Sequence, residues 1–108
     1  MKTIKLINAL KVGGNEIKEL PFDTSTFGAE QMVRANRMAA EMNGSVFVPA
    51  QEVDYNYHLA IAQVIIETSS KGEISTGDLK RIQGTDLFNL QREGRDFLLE
   101  SVTLDQET

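Results

Sequence analysis

The stretch from Tyr55 to Ile66 constrains this chain more than any other part of it. Wound as a helix, Tyr55, Tyr57, Leu59, Ile61, Ala62, Val64, Ile65 and Ile66 cover well over half of the circumference and leave a narrow polar stripe through Asn56, Gln63 and Glu67. A helix that is apolar on most sides has to be surrounded by protein. The pattern therefore predicts a central helix from about Gln51 or Asp54 to Ser70, with the other elements packed around it. At 108 residues the chain holds enough for one such core rather than two. Its 41% hydrophobic content, a little below the usual soluble range, implies modest stability.

The upstream residues must help to cover that helix. Apolar residues at Ile4, Leu6 and Leu10, with lysines between them, describe a strand from Ile4 to Val12. Gly13-Gly14-Asn15 then offers the positive backbone angles of a tight hairpin, and Glu16 to Phe22 forms the return strand with Leu20 and Phe22 on one face. Pro21 cannot donate a ladder hydrogen bond, which suits an edge position. A lone hairpin is marginal in water and has to lay its apolar face on helices. Asp23-Thr24-Ser25-Thr26 supplies capping oxygens for a helix from about Gly28 to Met42. On this helix Met32, Ala35, Met38, Ala39 and Met42 gather on one side, and Glu30, Arg34, Arg37 and Glu41 on the other, with Glu30 and Arg34 at ion-pair spacing. Asn43-Gly44 ends it, and Val46-Phe47-Val48 before Pro49 reads as a short extended or tucked segment.

Downstream, Lys71-Gly72 closes the central helix. Ser75 or Thr76 caps a short helix through Ile82, Gly84 breaks the chain, and Thr85 caps a last helix to about Ser101. Leu87, Leu90, Gly94, Phe97 and Leu98 form an inward stripe, in which Gly94 permits close approach to the central helix. Phe88 and Leu99 point away from that stripe, on the side of Arg92 and Arg95. Val102 to Thr108 is expected to be a short, acidic, frayed tail. The predicted fold class is α+β and mainly helical: an N-terminal β-hairpin packed on a bundle of about four helices, in one domain over residues 1–101.

Charge narrows the function. Sixteen acidic and 11 basic side chains give a net charge of -5, a sign repelled by phosphate backbones and anionic lipid, so neither nucleic acid nor membrane is an expected partner. Cysteine is absent, which removes disulfides, thiolate ligands and thiol nucleophiles together. Lys5, Asn8 and Lys11 interrupt any signal-peptide core near the N-terminus, and nothing approaches the ~20 apolar residues of a membrane span. The expected location is the cytoplasm.

Catalytic constellations are lacking. His58 is the single histidine, one turn after Asp54 in the apolar arc of the central helix, where a structural histidine bonded to Asp54 or a carbonyl is the expected reading. Ser69 and Ser70 lie three turns away on the same helix, too far to complete a triad. Glu16, Glu19, Asp23, Asp54, Glu67 and Asp86 are scattered over different elements, and Gly13-Gly14 lacks the lysine of a phosphate loop. No enzyme activity, cofactor or metal is expected. The helix, glycine turn and helix of Thr76 to Phe97 have the outline of a helix-turn-helix DNA reader, but Asp86, Glu93, Asp96 and Glu100 outnumber Arg92 and Arg95 on its second helix.

Taken in chain order, the hairpin with EIKELPFD, the helix AEQMVRANRMA, the long helix DYNYHLAIAQVI and the ending GDLKRIQGTDLFNLQREGRDFLL resemble a phage tail assembly chaperone, over about Ile4 to Leu99. The ending is the most specific part, with Asp78-Leu79, Gly84, Asp86, Phe88, Leu90 and Arg95-Asp96-Phe97-Leu98 matching the family pattern. The resemblance implies a non-enzymatic protein of the bacterial host cytoplasm that binds the long, helical tape measure protein and keeps it soluble while tail tube subunits assemble. It also implies, as further partners, the tail tube protein and a longer frameshifted form of the chain itself; a homo-oligomer is compatible with it. The resemblance carries no functional role onto a single position. From the residues themselves, Met32, Met38, Phe88 and Leu99 are the expected partner-binding positions, because methionine repacks easily and the other two lack an internal partner. The alternatives are a small structural connector or tail-completion protein retained in the virion, and a helix-turn-helix regulator using the last two helices.

Overall fold

A computed structural model describes residues 2–44 and 54–107, with side chains as far as Ser101. Val46-Phe47-Val48 lies outside the described residues. Two antiparallel strands, β1 (Lys2–Val12) and β2 (Asn15–Phe22), precede four helices, α1 (Ala29–Met42), α2 (Tyr55–Ser69), α3 (Thr76–Leu79) and α4 (Thr85–Glu107). The fold is α+β and mainly helical, a hairpin laid on a helical bundle. Two helix ends differ from expectation: α3 stops at Leu79 rather than Ile82, and α4 continues to Glu107 rather than ending near Ser101.

The central position of α2 follows from its sequence. Tyr57, Ala60, Ile61, Ala62, Val64, Ile65 and Ile66 are all buried, with α1 and α4 both packed on this helix. Covering from two sides also takes the middle of the polar stripe out of water: Gln63 is 1% exposed. Tyr55, counted among the apolar arc, departs in the other direction and is 64% exposed, because it opens the helix at its first turn. Asp54 caps that turn by accepting from the Asn56 and Tyr57 amides at 3.1 and 3.3 Å. The end of α1 is tied to the same place, since Asn43 Nδ2 donates to both Asp54 oxygens and Asn56 Nδ2 donates to Asn43 Oδ1.

The hairpin covers the core with Ile4, Leu10, Leu20 and Phe22. Lys5 stands opposite Glu19 and Lys11 opposite Glu16, cross-strand charge pairs that favour this register. Between these two pairs the ladder is broken, because Leu6 to Ala9 of β1 face only Lys18 of β2. The bulge frees the amides of Ile7 and Asn8, and Asp86 takes them. Its two carboxylate oxygens accept from Ile7 N–H at 2.8 Å and Asn8 N–H at 3.0 Å, with Asp86 only 3% exposed. One carboxylate in the first turn of α4 thus fixes the hairpin to the bundle, where its charge also suits the helix N-terminus.

Asp23 caps a single turn of 3-10 helix at Thr24–Thr26 rather than α1, accepting from Ser25 N–H at 3.1 Å, and these bonds hold its carboxyl below the ordinary aspartate range. Gly28 opens α1 instead, with its N–H donated to Gln31 Oε1 at 3.0 Å. The cap residues were therefore in the right place and served a different turn.

Candidate functional site

His58 lies inside the bundle. Its side chain is fully buried, with its ring edge-on to Tyr55 at 5.9 Å, and the oxygens of Asp54 are engaged by the helix amides and Asn43. Asp54 is thus a capping residue of this helix. Ser69 and Ser70 have structural tasks as well. Ser69 Oγ accepts from Asp23 N–H at 2.9 Å, joining the end of β2 to α2, and Ser70 Oγ accepts from Ile74 N–H at 3.0 Å. Among the described residues no group of three or more His, Asp or Glu side chains is placed to hold a metal ion. Nor is any helix among the described residues long and apolar enough to cross a membrane.

What the surface does carry is unburied apolar area. On α1, Ala35 and Ala39 make the contact with the core, so the helix approaches α2 through its smallest side chains. Met38 and Met42 flank that contact, half-buried. Met32 lies at the N-terminal margin of the same face and is 45% exposed, and Val33 beside it is exposed as well. On α4, Leu90 is fully buried while Leu87, Phe97 and Leu98 lean on the core. Phe88 on the opposite side is 65% exposed and Leu99 39%.

The four expected positions are not equivalent. Met32, Phe88 and Leu99 present apolar surface to water, whereas Met38 forms part of a cleft of about 380 Å³ between α1 and α3 that is also lined by Arg34, Met42 and Lys80. Phe88 and Leu99 share one face of α4; the two methionines belong to α1. Val33, Ile7 and Tyr55 are exposed apolar residues outside the expected set. Ile7 had a usable signal in its odd position among the inward-facing Ile4, Leu6 and Leu10, since alternate strand residues face opposite ways.

Charged groups set the borders of these faces. Arg34, expected on the outer side of α1 beside Glu30, reaches across to Glu67 of α2. This bond draws the Glu67 carboxyl below the ordinary glutamate range, aided by Thr76 N–H at 2.8 Å, and raises the guanidinium in turn. A second cleft of about 300 Å³ lies beside α4 and the hairpin, with Asp23, Glu93, Asp96 and Glu100 around Phe22 and Phe97. Lys2 stands in it, paired with Glu93 at 2.6 Å.

No family model, no curated protein and no solved structure matches the chain.

Proposed function

We propose that the protein is a phage tail assembly chaperone, a non-enzymatic carrier that binds the tape measure protein in the host cytoplasm and keeps it soluble during tail assembly. The observation that carries this reading is the set of large apolar side chains left in water at the margin and outer side of α1 and on the outer side of α4, two helices that already complete the core through other residues. Met32 and Val33 on α1, and Phe88 and Leu99 on α4, have no internal task. Apolar side chains presented by folded helices suit helix-in-groove or helix-on-helix capture of another chain. The resemblance from Ile4 to Leu99 names the guest, and the surplus of acidic over basic groups favours a dispersed complex.

The DNA-reading alternative fits the geometry poorly. The helix before the turn has four residues, and the opening of α4, the end that such proteins place in the major groove, is held by β1 through Asp86.

Co-expression with the tape measure protein tests the proposal. A soluble complex is expected where the tape measure protein alone precipitates, and continued precipitation refutes it. Mass spectrometry of finished virions should not detect the chain; finding it there favours a connector or tail-completion protein.

A further inference from the structure

We infer that the outer stripe of α4, formed by Phe88, Arg92, Arg95 and Leu99, docks an acidic amphipathic helix of another protein. The inference rests on the carrier reading and adds which face holds the guest and what charge the guest has. These residues are spaced i, i+4, i+7 and i+11, so at 100° per residue they fall within about 60° of one another. From Phe88 to Leu99 the stripe runs about 16 Å along the axis. Leu90, Gly94 and Phe97 occupy the side turned to the protein.

The charges on α4 are sorted by face. Asp86 is buried on the β1 amides and Glu93 is paired with Lys2, both toward the hairpin. Arg92 and Arg95 stand between the two exposed apolar groups. Their bonds, to Asn89 Oδ1 at 3.1 Å and to Asp96 Oδ1 at 3.4 Å, are short-range pairs within the same helix and open to water. Such pairs hold a guanidinium weakly. The stripe is thus a basic, aromatic-bearing strip on a chain of net charge -5, and arginine and phenylalanine are both enriched at protein interfaces relative to the rest of the surface.

Complementarity selects the occupant. A second copy pairing through α4 about its middle sets Arg92 and Arg95 against the same two arginines, which is repulsive. Nucleic acid and anionic lipid meet two arginines but also the acidic remainder of the molecule. A helix with apolar residues at matching spacing and Asp or Glu between them satisfies both parts, because each carboxylate accepts from a guanidinium over a partly dried contact.

The test uses the full chain and two synthetic helical peptides of about 18 residues, each with leucines at i, i+4, i+7 and i+11, one carrying glutamates between them and the other lysines. Fluorescence anisotropy should show the wild-type chain binding the glutamate peptide about tenfold or more tightly than the lysine peptide, a difference of about 1.4 kcal/mol. Arg92→Glu with Arg95→Glu should reverse that order. Phe88→Asp with Leu99→Asp should lose both peptides while keeping the wild-type unfolding midpoint, since all four side chains are substantially exposed. Equal affinity for the two peptides, or wild-type binding by the Phe88→Asp/Leu99→Asp variant, overturns the inference. So does self-association in sedimentation equilibrium that Phe88→Asp abolishes, because the occupant is then a second copy. Capture of the tape measure protein that survives Phe88→Asp/Leu99→Asp leaves the chaperone reading intact and ends this one. Selective glutamate-peptide binding without tape measure capture does the reverse.

Discussion

Gly94 is the point at which the packing of α2 and α4 is most exposed to a single atom. A Cβ at this position would lie 1.9 Å from the carbonyl oxygen of His58, 2.9 Å from its carbon and 3.3 Å from the Ala62 nitrogen. All three are backbone atoms of a buried helix, so no side chain can swing aside. Ordinary contact begins near 3.4 Å, and Gly94→Ala therefore has to part the helices locally by roughly 1.5 Å. A gap of ~0.5–1 Å already forfeits a quarter to a half of the dispersion energy of the atoms it separates, and Leu90, fully buried, sits one turn away in the same contact. Against this, alanine is the better helix former by about 1 kcal/mol. Overpacking against rigid neighbours outweighs that gain, and we expect a net loss of about 2–4 kcal/mol, a large part of the ~5–15 kcal/mol of a domain this size. In urea, with a slope of about 1–2 kcal/mol per molar, the midpoint should fall by about 1–4 M. Gly77→Ala is the control, because its Cβ would meet only Ser75 Oγ at 3.6 Å, and it should be neutral or slightly stabilising. A Gly94→Ala protein as stable as the wild type would mean that the two backbones do not touch, and the argument for the placement of α4 fails with it.

Three further outcomes follow from the polar groups. Asp86→Asn leaves one acceptor for two amides, so hydrogen exchange at Ile7 and Asn8 should accelerate and the protein should lose about 1–3 kcal/mol; unchanged exchange at both amides would contradict the clamp. The Glu67 carboxyl, held below the ordinary range by Arg34, titrates at lower pH when folded than when unfolded, so the unfolded chain binds more protons in that window and stability rises with pH. Its contribution is complete above about pH 4.5 and is lost as pH falls through the depressed folded value; urea midpoints of wild type and Glu67→Gln should therefore differ at neutral pH and converge in acid. Gln63 Oε1 is buried without a hydrogen-bond partner, so Gln63→Met should raise stability by about 1 kcal/mol in the same assay, and a clear loss would show that the amide has a structural task.

The elements themselves were legible because they rest on local grammar. The run from Tyr55 to Ile66 announced a buried helix, Gly13-Gly14 a turn, and Gly94 a close approach, each from periodicity or from a residue whose backbone chemistry is special. The outward direction of Phe88 and Leu99 was legible for the same reason, since 100° per residue is fixed once the inward stripe is known. Met38 was harder, because a methionine at the rim of a helix face is buried or exposed according to what stands next to it, and α3 borders its cleft.

The chain alone thus determined which segments coil, which extend, and which faces turn inward, all of which depend on neighbours a few residues apart. Only the tertiary structure decided the partners of the charged groups. Arg34 lies 33 residues from Glu67 and Asp86 lies 78 from Asn8, and no periodicity links positions so distant. The amides that the bulge in β1 leaves free are satisfied by a carboxylate distant in sequence, and that meeting is a property of the folded whole.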